Sequence, residues 1–360
     1  MTLRKACWVV ALLSFTLVGH RGAQAGTVNI TIEPGPGADF AAQIGLDLNE
    51  LETRLRDELE EIFQVVQPKS YMRALADAAG FSNKGLGVDY ASNPQVISVG
   101  AGVNLSVGFG DKGFDEPRSD QPVLGLAANF SIMAGGNLEA MGVKGMDKLN
   151  IYANYFTRTG SIKQLTANLT NFGVHAQYKI LAPKKRKASK GLLMEWGGID
   201  VIGGFQYSHI GLKLEEPNLD SDVILQDGGG SGSEDVRFEA AGKFDLGITT
   251  YSVPLEVATN MRMFYFLSLF GGVGIDVQLG GTDMEVDLDG TLYGIDPTTQ
   301  EEMEIGTAHV DVTEDASASP GKIRFFGGIQ LNLWRFHAFA QLNVAPDRAV
   351  GITLGGRAAW

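Results

Sequence analysis

The sequence predicts an all-β fold: a closed antiparallel transmembrane β-barrel of about ten strands (a range of about 8–12 fits), preceded by an N-terminal α-helical hairpin. Three observations predict it. From residue 96 onward, about ten segments alternate apolar and small polar residues, and most reach the roughly 9–11 residues that a tilted membrane strand needs. Their polar faces are dominated by Gly, Ser, Asn and Gln, where a soluble sandwich would carry many charges. Glycine, at 47 of 360 residues, is about twice ordinary usage, as repeated turns and close backbone approaches require.

The first element is a secretory leader, residues 1–25. Arg4 and Lys5 precede the apolar run Cys7 to Gly19, and "AQA" at 23–25 suits cleavage. Cys7 lies before the apolar core, so it is no lipid anchor. It is also the only cysteine, so the mature chain has no disulfide. The net charge of −13 argues against nucleic acid as a partner, because such surfaces are basic.

Residues 26–94 form the second unit, a linker and an amphipathic helical segment. After "EPGPGA", the apolar residues Phe40, Ile44, Leu48, Leu51, Leu55, Leu59, Ile62 and Val66 follow a 4-4-3-4-4-3-4 spacing, one face of a helix. Charged residues from Glu50 to Glu61 occupy the other face. Pro68 interrupts, and "SYMRALADAAG" reads as a shorter helix ending at Gly80. The stripe is expected to pack on itself or on the rest of the chain; a helix-binding partner is the alternative.

Residues 95–360 form the third unit. "VISVGAGVNLSVGF" (96–109) places Ile97, Val99, Val103, Leu105, Val107 and Phe109 on one face, with Asn104 and small residues on the other. "VLGLAANFSIMA", "KLNIYANYF", "NFGVHAQYKI" and "GIDVIGGFQYSH" repeat the pattern. "VRFEAAGKFDLGITT" sets Val236, Phe238, Phe244, Leu246 and Ile248 against Arg237, Glu239, Lys243 and Asp245. "FYFLSLFGGVGIDVQ", "IRFFGGIQLNL", "FHAFAQLNV" and "VGITLGGRAAW" complete the series. Apolar stripes facing lipid need no partner side chains, and only a closed sheet satisfies every backbone group in hydrocarbon. The opposite faces then line a polar lumen.

The chain stops on Trp360, behind Ala358, Gly356, Leu354 and Ile352 at alternate positions. This resembles the C-terminal aromatic assembly signal of bacterial outer-membrane β-barrel proteins, with Ala358 where a larger residue is common. The resemblance implies a Gram-negative outer-membrane location, with outer-membrane lipid, lipopolysaccharide and the barrel-assembly machinery as partners. With an even strand count, the helices and the C-terminus are both expected in the periplasm. The segment "GDKGFDEPRSDQ" and residues 213–235 and 280–321 are then expected as extracellular loops.

The lumen-lining candidates are Arg237, Glu239, Lys243, Asp245, Asp200, Asp276, Arg324 and Lys179, expected as a paired network or a charged solute path. Residues 280–321 hold eleven acids and no Lys or Arg. Within them, Glu285, Asp287, Asp289 and Asp296 have the oxygen spacing of a calcium loop, while Asp289-Gly290 is a hairpin signal; the hairpin is the preferred reading, and no cofactor is expected. "PKKRKASK" reads as a solvated basic turn. No serine or acid accompanies His175 or His337 in a catalytic pattern, so an enzyme is not expected. The leading functional expectation is a narrow pore or carrier for small solutes, with the helices capping the periplasmic mouth. The alternatives are a closed structural or binding barrel and, behind both, a membrane-embedded hydrolase.

Overall fold

The computed structural model describes residues 27–43, 46–66, 68–91, 97–110, 123–182, 194–226, 233–264, 266–295, 299, 301–346 and 348–360. The leader, "PKKRKASK", Asp296 and nearly all of "GDKGFDEPRSDQ" lie outside the described residues.

The alternating segments form strands β2 (Ile97–Gly108), β3 (Gly125–Asn137), β4 (Leu149–Ile162), β5 (Leu165–Leu181), β6 (Met194–Gln226), β7 (Ser233–Met263) and β8 (Leu267–Ile295). They continue with β9 (Glu302–Ser317), β10 (Gly321–Leu333), β11 (Phe336–Ala345) and β12 (Ala349–Ala359). Ten of them close a ring: β2 to β8 in sequence, then β10, β11, β12 and back to β2. The closing seam pairs Val99 with Ala358 and Gly108 with Ala349, and Ile97 and Trp360 exchange backbone hydrogen bonds of 3.0 Å. Pairings followed from Ile275 reach Ile97 one way round and the level of Phe109 the other. That stagger of about twelve residues tilts the strands by the roughly 40° usual for barrels.

The outward residues of this ring are apolar and exposed. Leu105 is 61% exposed, Leu255 57%, Ile275 55% and Ile323 59%. Their inward neighbours Asn104, Asp276 and Arg324 are buried at 0%. A continuous belt of this kind is stable in hydrocarbon, and no described helix is long and apolar enough to cross a membrane.

Residues 213–235 and 280–321 were expected as loops, but most of their described residues continue the strands beyond the ring. β8 pairs with β10 only over Leu267–Val277, then turns through Gly280 (φ +104°) and pairs with β9 from Gly281 to Ile295. β9 pairs in turn with β1 (Thr27–Pro34), where a linker was expected; Val28, Ile30 and Ile32 alternate there at period two. The result is a five-stranded overhang, β6-β7-β8-β9-β1, above one side of the barrel. Asp289-Gly290 makes no hairpin because neighbours on both sides hold it extended: Gly290 lies opposite Ala240 and Ala308.

β7 shows why the overhang is hard to foresee. Its even residues face inward throughout. From Val236 to Ile248 they are apolar, and from Thr250 to Asn260 they are mostly polar. The odd face runs from Arg237, Glu239, Lys243 and Asp245 to Tyr251, Val253, Leu255 and Val257. The strand keeps its geometry while its polarity inverts near Thr249. Below that point the outer face meets lipid; above it, water.

The expected long helix is two helices, α1 (Ala38–Gln43) and α2 (Leu48–Val66). Asp47 caps α2, its Oδ1 accepting from Asn49 N at 2.9 Å. Leu46 and Leu51 pack with Ala41 on Val236, Leu292 and Ile305 of the overhang, so this part of the stripe is covered by the chain itself. α3 (Pro68–Phe81) then enters the barrel. The helices and the C-terminus, expected on one side, lie at opposite ends: α2 and β1 sit at the end of the ring away from Ile97 and Trp360.

Candidate functional site: the filled lumen

Every residue from Ala74 to Ala91 is buried, because this stretch runs through the ring from the overhang to the end where β2 begins. Small side chains make the helix thin enough: Ala74, Ala76, Ala78, Ala79 and Gly80. The wall is thinned where they touch it. A Cβ on Gly108 would meet Ala74 O at 2.1 Å, and one on Gly125 would meet Ala74 C at 2.2 Å. After α3 the chain turns at Gly85 (φ +80°) and Gly87 (φ +91°), a left-handed conformation that glycine adopts without a Cβ penalty.

Several Asn, Gln, Ser and Thr side chains of the inner face donate to the backbone of this plug, and the buried carbonyls of Lys84 and Tyr90, beyond the helix, find their donors there. Gln278 Nε2 donates to Ala76 O (3.1 Å), and Ser106 Oγ to Ala78 O (2.7 Å). Asn104 Nδ2 and Thr353 Oγ1 both donate to Lys84 O, at 2.6 and 2.7 Å. Asn260 Nδ2 donates to Tyr90 O at 2.9 Å.

Three plug charges meet wall charges of opposite sign. Asp77 pairs with Lys322 at 2.8 Å, Lys84 with Asp276 at 2.9 Å, and Asp89 with Arg357 at 3.3 Å. Lys84 Nζ also donates to Gln206 Oε1 and Ser252 Oγ, both at 2.7 Å, which uses all three of its protons. Arg324 braces the wall behind it, bonding Asp276 Oδ2 (2.9 Å), Asn343 Oδ1 (2.9 Å) and Glu256, while Tyr90 OH donates to Glu256 Oε2 at 2.7 Å. Buried charges are tolerable only when paired and hydrogen-bonded in this way.

Of the eight lumen candidates, Asp276 and Arg324 belong to this network, and Asp200 and Lys179 form a lumenal pair at 3.4 Å. The other four do not line the lumen. Arg237, Glu239, Lys243 and Asp245 lie on the outer face of the overhang, where Arg237 pairs with Glu239 and Glu302, Lys243 with Asp287, and Asp245 with Lys213. The alternation puts them in the lumen only if the apolar stripe faces lipid along the whole of β7, whereas the stripe above Thr249 faces inward. Asp77, Lys84, Asp89, Lys322 and Arg357 were missed. The available signal was a charge every five to seven residues in the small-residue run "ADAAGFSNKGLGVDY".

The calcium spacing falls on a strand. Glu285, Asp287 and Asp289 occupy alternate positions of β8 on its outer face, which cannot wrap one ion as a loop does. Asp287 and Asp289 approach His309 of β9, at 3.7 and 2.6 Å from its Nδ1. The hydrogen bond to Asp289 raises the His309 imidazole above its ordinary pKa, with the Asp289 and Asp287 charges adding to it. In the lumen, His175 Nε2 lies 3.5 Å from Gln206 Nε2, and His337 Nδ1 lies 2.9 Å from Asn332 Oδ1. Among the described residues, neither ring has a hydrogen bond to a serine or a carboxylate.

Solved structures similar to this chain include the attachment invasion locus protein Ail of Yersinia pestis (13% identity, 74% of this chain, 98% of that chain, TM-score 0.25). Others are the translocator domain of the autotransporter NalP from Neisseria meningitidis (11%, 82% and 95%, TM-score 0.29) and a Pseudomonas aeruginosa FadL homologue (8%, 80% and 98%, TM-score 0.24). No curated protein matches the sequence. The pattern that defines the Lsa36-like family runs through residues 22–360, and the chain belongs to that family.

Proposed function

We propose that the protein is an outer-membrane barrel closed by its own N-terminal segment, and that it anchors and displays the acidic overhang as a binding surface. The observation that carries this reading is the continuous burial of residues 74–91, held by three plug–wall ion pairs. Inner-face groups that would line a solute path are here spent on the backbone and charges of the plug. Outer-membrane barrels keep their short turns in the periplasm. Tight connections occur at both ends, at Trp334–Arg335 beside Trp360 and at Lys163–Gln164 opposite, but the long extensions of β6 to β9 lie only at the end away from Trp360. Because the longer segments of such barrels are extracellular, this supports a periplasmic C-terminus and an overhang outside the cell. The helices then lie outside as well, and the chain passes inward through the lumen before β2.

Planar-bilayer recording of the refolded mature chain tests this. Silence at moderate voltage is the expected result. Stable conductance steps from the unmodified chain would refute the closed barrel and restore the pore.

A further inference from the structure

β3 and β4 pair only from Ile132–Tyr155 to Asn137–Asn150. Above that point Gly125–Ser131 and Phe156–Ile162 part, while β3 stays paired with β2 and β4 with β5 over these lengths. A cavity of about 580 Å³ occupies the notch, within the roughly 300–1,000 Å³ of small-molecule sites. Its lining takes Leu124 and Leu126 from the lipid face and Leu246 and Ile248 from the inner face, with Leu75 of α3 behind them. Residues from both faces of a wall line one cavity only where the wall is open. Leu126 is 69% exposed, so the opening continues into the lipid belt.

Two features indicate what it takes. The lining is almost wholly apolar, and an open strand edge cannot be left bare against hydrocarbon. The one charge in the lining is Arg158, which is exposed and whose guanidinium has no hydrogen bond or ion pair among the described residues. We propose that the notch between β3 and β4 is a binding site for an aliphatic chain with an anionic head, the chain entering from the membrane and the head held by Arg158. The site rests on the reading of the barrel as membrane-embedded, but not on whether the lumen conducts.

The test uses the refolded mature chain in a non-ionic detergent with the fluorescent fatty acid cis-parinaric acid, and needs no bilayer. Saturable fluorescence enhancement, displaced by palmitate, is expected. Gly160 lines the cavity and a Cβ there meets nothing within 4 Å, so Gly160→Trp starts its side chain in open space beside the site and should abolish binding. Ala167→Trp, from β5, should do the same, and heat-modifiable electrophoretic mobility reports that each variant folds. Arg158→Gln should weaken palmitate about tenfold, the loss of one charge-assisted contact, and leave hexadecanol unchanged. Displacement by phosphatidylglycerol micelles below the palmitate concentration assigns the occupant to membrane lipid; the reverse order assigns it to free fatty acid. Absence of saturable binding, or binding undiminished in both folded Trp variants, overturns the site. Equal loss of acid and alcohol in Arg158→Gln overturns the assignment of the head. A conducting barrel that still binds would refute only the closed lumen.

Discussion

Replacing Lys84 with Met removes the plug's cation at the level of Asp276 and keeps much of its aliphatic volume. The loss is local: Gln206 and Ser252 each lose a donor, and Asp276 keeps Arg324 as its remaining cation. Breaking one member of a buried pair costs roughly 3–5 kcal/mol. Because Arg324 still compensates Asp276, the lower figure applies. About 3 kcal/mol is roughly a hundredfold change in the population of the disengaged plug. Amide hydrogen exchange of residues 74–91 in detergent reads that population directly. It should accelerate by about two orders of magnitude while the ring strands stay protected. Adding Asp276→Leu leaves Arg324 paired with Glu256, so the double variant should recover much of the loss. Unchanged protection in the single variant, or a double variant less protected than the single, would show that the ion pairs do not hold the plug.

Gly125→Val presses a branched side chain against the backbone of α3 and should also expose residues 74–91 to exchange; overpacking costs typically about 1–3 kcal/mol, and a ring that opens instead would contradict the prediction. Asp57→Cys, with the single cysteine Cys7 replaced by Ser, should react with a membrane-impermeant maleimide on intact cells; labelling only after permeabilisation would place the helices in the periplasm. Val253→Asp should block insertion, whereas Lys243→Val, on the same face but beyond the belt, should not, as measured by the folded fraction in lipid vesicles. His309 has a raised folded pKa, so its contribution is present in full below about pH 6.5 and lost as pH rises through the raised value. Exchange protection along β9 and β1 should therefore fall over that interval, and His309→Gln should remove the dependence.

Much of the architecture is written in the chain locally. The period-two alternation of residues 97–107 needs only to know that one face is greasy and the other small and polar, and a membrane strand supplies both. Ten ring strands, the short helix ending near Gly80, and the inward positions of Asp276 and Arg324 follow from such patterns. Alternation says which residues share a face and is silent on what that face meets. Phe244 and Leu255 look equally apolar, yet one packs toward α3 and the other meets lipid. Asn104 reads the same whether it faces water or the carbonyl of Lys84. Only tertiary structure decided these points, because the neighbour that resolves each of them comes from far along the sequence. Lys84 lies 192 residues from Asp276, and only the closed ring with the chain threaded through it brings the two together.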